Sequence, residues 1–190
     1  MVAAFVRAEF DSARFKAGYR DGLRALGVGR GGLIDNADLA NQKANQRRRF
    51  LLRFRGYPDD FLFRGWPSGV EWRSVRLSLD ELATTRYANY DTWIRLSGGT
   101  RLIREGAANV DKITVAENAN AHIKSVANLV REGLRFPELI LVGRSLDQPF
   151  VLMEGHTRAT AYLLAGAPDS VDCLLGTSPG MAGWAWWGTP

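Results

Sequence analysis

The sequence predicts an α+β domain with a small mixed sheet, preceded by a basic helical segment. Two observations set that class. Four short apolar runs, at residues 70–77 (VEWRSVRL), 138–142 (ELILV), 150–153 (FVLM) and 171–175 (VDCLL), have strand length and alternate with stretches of helical spacing, capping residues and glycine exits. Charge is unevenly placed: residues 1–65 carry thirteen Lys or Arg against seven acids, and residues 66–190 twelve against thirteen. The basic excess therefore belongs to the first third. With 190 residues and 46% hydrophobic content the chain can bury a real core. It has no apolar run of about eighteen residues, and Arg7, Glu9 and Asp11 interrupt its amino terminus before a signal-peptide core could form, so a soluble cytoplasmic protein with no membrane partner is expected. Cys173 is the single cysteine, which excludes an intramolecular disulfide and a cysteine zinc site.

Residues 5–26 read as one helix, with Phe10, Ala13, Ala17 and Leu23 in its buried stripe, ending at glycines. The stretch GVGRGG (27–32) resembles a phosphate loop only in composition. Such a loop follows a strand, and here a helix precedes it, so it reads as a helix exit and turn. Residues 38–52, rich in Ala, Gln, Lys and Arg, read as a second helix. Three glycines and two prolines in residues 56–69 mark the boundary between a basic helical segment, 1–65, and a domain, 66–190.

In the domain, residues 70–77 read as an interrupted strand, and Ser78-Leu79-Asp80-Glu81 as a capping box that opens a short helix. A helix near residues 91–96 and a turn at Gly98-Gly99 interrupt a stretch with no clear pattern. A second capping box, Thr114-Val115-Ala116-Glu117, opens a helix with Ala119, Ile123, Val126, Ala127 and Val130 on one face, closed by Gly133. Residues 138–142 and 150–153 form a hairpin across a polar loop, residues 156–165 form a helix closed by Gly166, and residues 171–175 form a last strand.

The chemistry concentrates at the strand-to-helix junction VLMEGHTR, residues 151–158. Gly155 permits a sharp turn and leaves the first helical turn uncovered. Helix N–H groups and the positive helix end favour an anion there, and Arg158 offers a two-pronged fork to a phosphate. His156 donates a proton when charged or accepts one when neutral, and Glu154 is placed as a general base or a magnesium ligand. A plainer reading stands beside this one: Glu154 caps the helix, His156 is an exposed first-turn residue, and Arg158 pairs with a surface acid.

The stretch PELILVGRSLDQPFVLMEGHTRATAYLLAG (137–166) resembles the core of the ParB/sulfiredoxin-like superfamily, whose members place a Gly-x-x-Arg motif after a strand and at the start of a helix. Gly155, His156, Thr157 and Arg158 occupy that motif. The sequence Glu-Gly-His-Thr-Arg is most similar to the Asp-Gly-His-His-Arg version of the free serine kinases, with Glu154 for the aspartate and Thr157 for the second histidine. Residues 70–176 fit the resemblance. It implies a nucleotide, ATP or another, held by the motif's backbone and Arg158, with Mg2+, a small-molecule acceptor and a phosphotransferase or NTPase activity. The sulfiredoxin reaction is not expected, since the motif lacks a cysteine; Cys173 sits on a core strand. The 24 residues after Gly166 leave no helix-turn-helix, so a ParB partition architecture is not expected either.

Two further features carry alternatives. Residues 43–55 (KANQRRRFLLRFR) hold six basic residues and no acid, so Arg47, Arg48 and Arg49 could grip a nucleic-acid backbone, as in a DNA-binding regulator or ParB-like nuclease, or could simply form a solvated helix face. At the far end, Trp184, Trp186 and Trp187 stack on a ligand, fold back onto the domain or form a homodimer contact. His122 has no second ligand one turn on and reads as an ordinary helix residue.

Overall fold

A computed structural model describes residues 1–12, 14–55, 61–116, 118–147 and 149–188, which divide into two compact units, Met1–Leu62 and Phe63–Pro190. The division falls three residues ahead of the boundary expected from composition.

The first unit is helical: α1 (Val2–Phe10), α2 (Lys16–Leu26), a π-helical turn (Gly31–Asp35), α3 (Gln42–Leu51) and a short 3-10 turn (Leu52–Arg55). The single helix expected over residues 5–26 is two. Ser12 breaks it by taking the Phe15 N–H onto its side-chain oxygen at 3.2 Å and its carbonyl at 3.3 Å, the local competition with helical bonding that favours serine at turns. Of the expected stripe, Phe10 and Leu23 are buried, Ala17 is exposed, and Ala13 lies outside the described residues. Gly27 ends α2 with φ +62°, as a left-handed exit requires. Asn41 caps α3 through the Ala44 N–H at 3.0 Å, so this helix starts four residues later than composition suggests. Val6, Phe10, Tyr19, Ile34 and Leu51 form the core. Glu9 is buried within the unit and accepts hydrogen bonds from the Tyr19 hydroxyl (2.7 Å) and from Arg55 (2.6 and 2.7 Å).

The second unit contains β1 (Glu71–Ser78), α4 (Leu79–Thr84), β2 (Arg86–Tyr87), α5 (Asp91–Leu96), α6 (Ile103–Asn109), α7 (Ala119–Arg131), β3 (Leu139–Gly143), β4 (Val151–Glu154), α8 (His156–Ala165) and β5 (Ser170–Thr177). Its mixed α/β content matches the expected class. The five strands form one mixed sheet in the order β1-β5-β3-β4-β2, with β1/β5 and β3/β4 antiparallel and β5/β3 and β4/β2 parallel. The expected hairpin is β3–β4. Leu139, Leu141, Leu152, Cys173 and Leu175 from the sheet share a core with Ile123, Val126, Ala127 and Val130 of α7 and with Ala159, Ala161 and Tyr162 of α8.

Local signals account for most element ends. Ser78 accepts the Glu81 N–H at 3.2 Å while Glu81 accepts the Ser78 N–H at 2.8 Å, so the first capping box forms as read. Glu117 of the second lies outside the described residues, and α7 begins at Ala119 behind Asn118, whose φ is +65°. Gly133 (φ +87°) follows α7, and Gly166 (φ +66°) closes α8. β2 and α6 have no counterpart in the sequence reading. β2 is two residues long and α6 seven, too short for either periodicity to show.

Tyr87 of β2 is fully buried against α6, where a Cβ added at Gly106 would lie 2.7 Å from its ring. Gly106→Ala therefore overpacks this contact, and we expect a loss of about 1–3 kcal/mol, read as a fall in the urea midpoint. An unchanged midpoint would show that the ring has room to move.

Candidate functional site

The junction at residues 154–158 is built as a strand, a one-residue turn and a helix. β4 delivers Glu154, Gly155 turns with φ +97°, and α8 starts at His156. Only glycine suits this turn: its φ is left-handed, and an added Cβ would lie 2.5 Å from Leu139 Cδ2 and 3.1 Å from an Arg158 nitrogen. The N-cap position of α8 is Gly155, which has no side chain to cap the first turn. Helix N–H groups at an uncapped end bond to water or to a ligand.

Arg158 is buried, and its guanidinium points inward. It donates to the Glu154 carboxylate one turn back and to the carbonyls of Pro137 and Glu138, the latter at 3.3 Å. The expected open fork for phosphate is thus closed onto the protein; the partner is an acid, as in the plainer reading, but a largely buried one at the same turn and not a surface acid. Glu154, its side chain 13% exposed, is likewise committed to the pair rather than presented as an open base. No cluster of three or more His, Cys, Asp or Glu suited to a metal occurs among the described residues.

His156 is half-buried and sits among aromatic rings. Its ring stacks on Tyr87 (centroids 6.0 Å apart, 15° between planes) and Trp93 (5.2 Å, 25°), and Tyr90 leans on it at 5.6 Å and 45°. A buried polar chain fixes it from behind: the Tyr87 hydroxyl bonds Thr160 Oγ1 at 2.7 Å, and Thr160 Oγ1 donates to the His156 carbonyl at 2.7 Å. Burial pushes the Tyr87 hydroxyl's pKa above its ordinary value, so it stays a neutral phenol. Thr157 is half-buried beside His156 on the first turn.

Sequence reasoning missed Tyr87, Tyr90, Trp93 and Arg101. All four lie in the stretch with no clear pattern, and an aromatic-rich segment without periodicity was the one signal they left. The tail folds back, as one of its expected readings holds. Trp184 is buried against Trp66 (5.6 Å), Trp186 meets Tyr90 (4.8 Å, 48°), Asn89 N–H donates to the Trp186 carbonyl at 2.9 Å, and Arg101 donates to the Trp187 carbonyl at 2.6 Å.

In the first unit, Arg47 and Arg49 are exposed on α3, but Arg48 is buried at 1% exposure. It donates to the Leu33 carbonyl (2.6 Å), to Asn45 (2.6 Å) and to the Asp38 carbonyl (3.1 Å). Arg48 thus holds the π-helical turn to α3 and does not face a nucleic acid. Its arginine stem suits that packing as well as solvent would.

Compared with models of known protein families, with curated proteins and with solved structures, the chain matches none.

Two measurements test this geometry. Glu154→Gln keeps the shape of the carboxylate but leaves Arg158 buried without a counter-charge, so a loss of about 3 kcal/mol in unfolding free energy is expected by urea titration; a loss below about 1 kcal/mol would mean the pair is weak. Cys173 is buried on β5, and burial with the nearby Asp172 charge pushes its thiol up to about 12. Since only a thiolate reacts, the folded protein is expected to resist thiol reagents at pH 8 and to react on unfolding, with reactivity rising rather than saturating toward pH 10. Rapid labelling of the native protein at pH 8 would contradict this.

Proposed function

We propose that the chain is a nucleotide-binding protein of the ParB/sulfiredoxin-like kind, which holds the phosphates of ATP or another nucleotide at the start of α8. The observation that carries this reading is the convergence, at one helix end, of the Gly155 turn, the positive end of a ten-residue helix and a half-buried, ring-held His156. The order of strand, glycine turn and helix supports this reading, since the Gly-x-x-Arg motif that the sequence resembles lies after a strand and at a helix start.

The roles divide differently from the expectation. Backbone N–H groups of the first turn meet the phosphate, aided by the positive end of the ten-residue helix. His156 is the side chain placed to donate to a phosphate oxygen or relay a proton. Arg158 is a positioning residue: it locks the end of β4 and the approach to β3 behind the turn and adds positive charge at short range. Glu154 orients Arg158 and is not assigned the chemical step. Magnesium, where phosphate chemistry requires it, comes with the nucleotide. A phosphotransferase or NTPase activity in the cytoplasm, toward a small-molecule acceptor, is the reaction class that follows from this reading.

Calorimetry with ATP, CTP and ADP, with and without magnesium, tests it. Saturable heat is expected for at least one of the three, weakened about tenfold in Arg158→Ala, whose turn is no longer held. Phosphate release should disappear in His156→Ala while the nucleotide still binds. Absence of heat for every nucleotide overturns the proposal.

A further inference from the structure

We propose that the first unit binds nucleic acid, with the phosphate backbone lying along the exposed face of α3 and against the glycine turn that precedes it. This concerns a different unit from the nucleotide reading and is independent of it.

Cations outnumber acids in this unit, and most of the acids are already committed. Through Arg55 the chain carries twelve Lys or Arg and five acids. Four of the acids are bonded to cations: Glu9 to Arg55, Asp11 and Asp35 to Arg30, and Asp21 to Arg24. The fifth, Asp38, accepts the Ala40 N–H at 3.0 Å. By contrast, Arg20, Lys43 and Arg47 are exposed and enter no ion pair or side-chain hydrogen bond among the described residues. Lys43 and Arg47 stand one turn apart on α3, so they share a face of the helix. Their neighbour Arg48 is a buried cation whose bonds all go to neutral groups, the Leu33 and Asp38 carbonyls and Asn45. No carboxylate of the described residues neutralises it, so its field adds to that of the exposed pair.

The character of the face selects a nucleic acid among polyanions. The exposed residues of α3 are Gln42, Lys43, Gln46, Arg47 and Arg49, and none is apolar, while Leu51 is fully buried. A helix that settles on a membrane presents leucine or aromatic side chains to it, which this face does not. Amides and cations together donate to phosphate oxygens and reach base edges.

The glycine turn is a second observation. Gly31 and Gly32 lie in the π-helical turn and are exposed, yet the fold does not require glycine at either. Neither has a left-handed φ, and a Cβ on either would meet no atom of the described residues within 4 Å. Each costs about 0.5–1 kcal/mol relative to alanine in a helical turn. Glycine where the fold would accept alanine bares the backbone for the close approach of another molecule, and backbone N–H groups are ordinary partners of nucleic-acid phosphates. Arg48 anchors this turn to α3 through the Leu33 carbonyl at 2.6 Å.

The test is fluorescence anisotropy of the full chain with a labelled mixed-sequence duplex of about 20 base pairs, from about 50 to about 200 mM salt. Affinity is expected to fall steeply with salt. Lys43→Gln combined with Arg47→Gln should weaken binding and lower the slope of log affinity against log salt by about 2, and each single replacement by about 1. Glutamine is a good helix former, so α3 is kept. Lys112→Gln with Arg144→Gln removes the same charge from exposed positions of the second unit and should leave the slope unchanged. Gly31→Ala with Gly32→Ala should weaken the duplex while the urea midpoint holds or rises. An unchanged slope in the Lys43 and Arg47 variants overturns the α3 face, as does an equal loss in the Lys112 and Arg144 variant. Undiminished affinity in the glycine variant removes the turn from the interface. Displacement of the duplex by polyglutamate or phosphatidylserine vesicles at equal charge concentration overturns nucleic acid as the partner.

Discussion

The second unit depends on one ion pair, between Glu154 and Arg158. One turn of helix separates them, yet they belong to different elements, because the carboxylate ends β4 and the guanidinium rises from α8. The same guanidinium reaches the carbonyls of Pro137 and Glu138, just ahead of β3. A single buried side chain therefore ties a strand end, a helix start and the approach to a neighbouring strand. A buried ion pair gains little net stability over apolar packing, since its Coulomb attraction is offset by desolvation. What it supplies is position: an arginine that lost its acid would be left charged in the interior, so the junction has one satisfied arrangement. The Gly155 turn packs against the same junction: a Cβ there would lie 2.5 Å from Leu139 Cδ2 and 3.1 Å from the guanidinium.

Tyr87 is the second fixed point. Its hydroxyl, Thr160 and the His156 carbonyl form a short buried chain of hydrogen bonds that determines where α8 begins, and its ring supports His156 and Trp93. Its backbone carbonyl receives Arg101, which in turn holds the tail. One residue on a two-residue strand thus links the sheet edge, the helix end and the C-terminal tryptophans. Partly satisfied polar groups would be costly at this depth, whereas a closed chain of partners makes the arrangement specific.

How much of this was legible follows from the range of each interaction. The Ser78–Glu81 capping box, the glycine exits at Gly27, Gly133 and Gly166, the β3–β4 hairpin and both ends of α8 are set by residues within a few positions of one another, and pattern reading found them. Residues 91–96 were found as a helix for the same reason. The break at Ser12 was missed because apolar spacing continues across it, and β2 and α6 because neither is long enough to show a period. The site divides along the same line. Gly155 and His156 stand at a strand-to-helix turn, as the local pattern indicates, but the direction of an arginine side chain is a tertiary property. Arg48 reads as part of a solvated or nucleic-acid-gripping face and Arg158 as a phosphate fork, yet both point inward, to carbonyls 15 and 21 residues away. Arg101 reaches 86 residues along the chain.

These inward arginines change what a basic motif means here. An arginine already bonded to carbonyls and a carboxylate offers an incoming phosphate its field more than its fork, and a field acts without a fixed bonding geometry. Under the reading proposed above, discrimination must then come from groups that touch the ligand directly. The backbone N–H groups of a helix start read a phosphate but not what it is attached to, so in that reading the identity of the ligand is set by side chains beyond the turn, and the inward commitment of Arg158 removes from that set the residue a basic motif would name first.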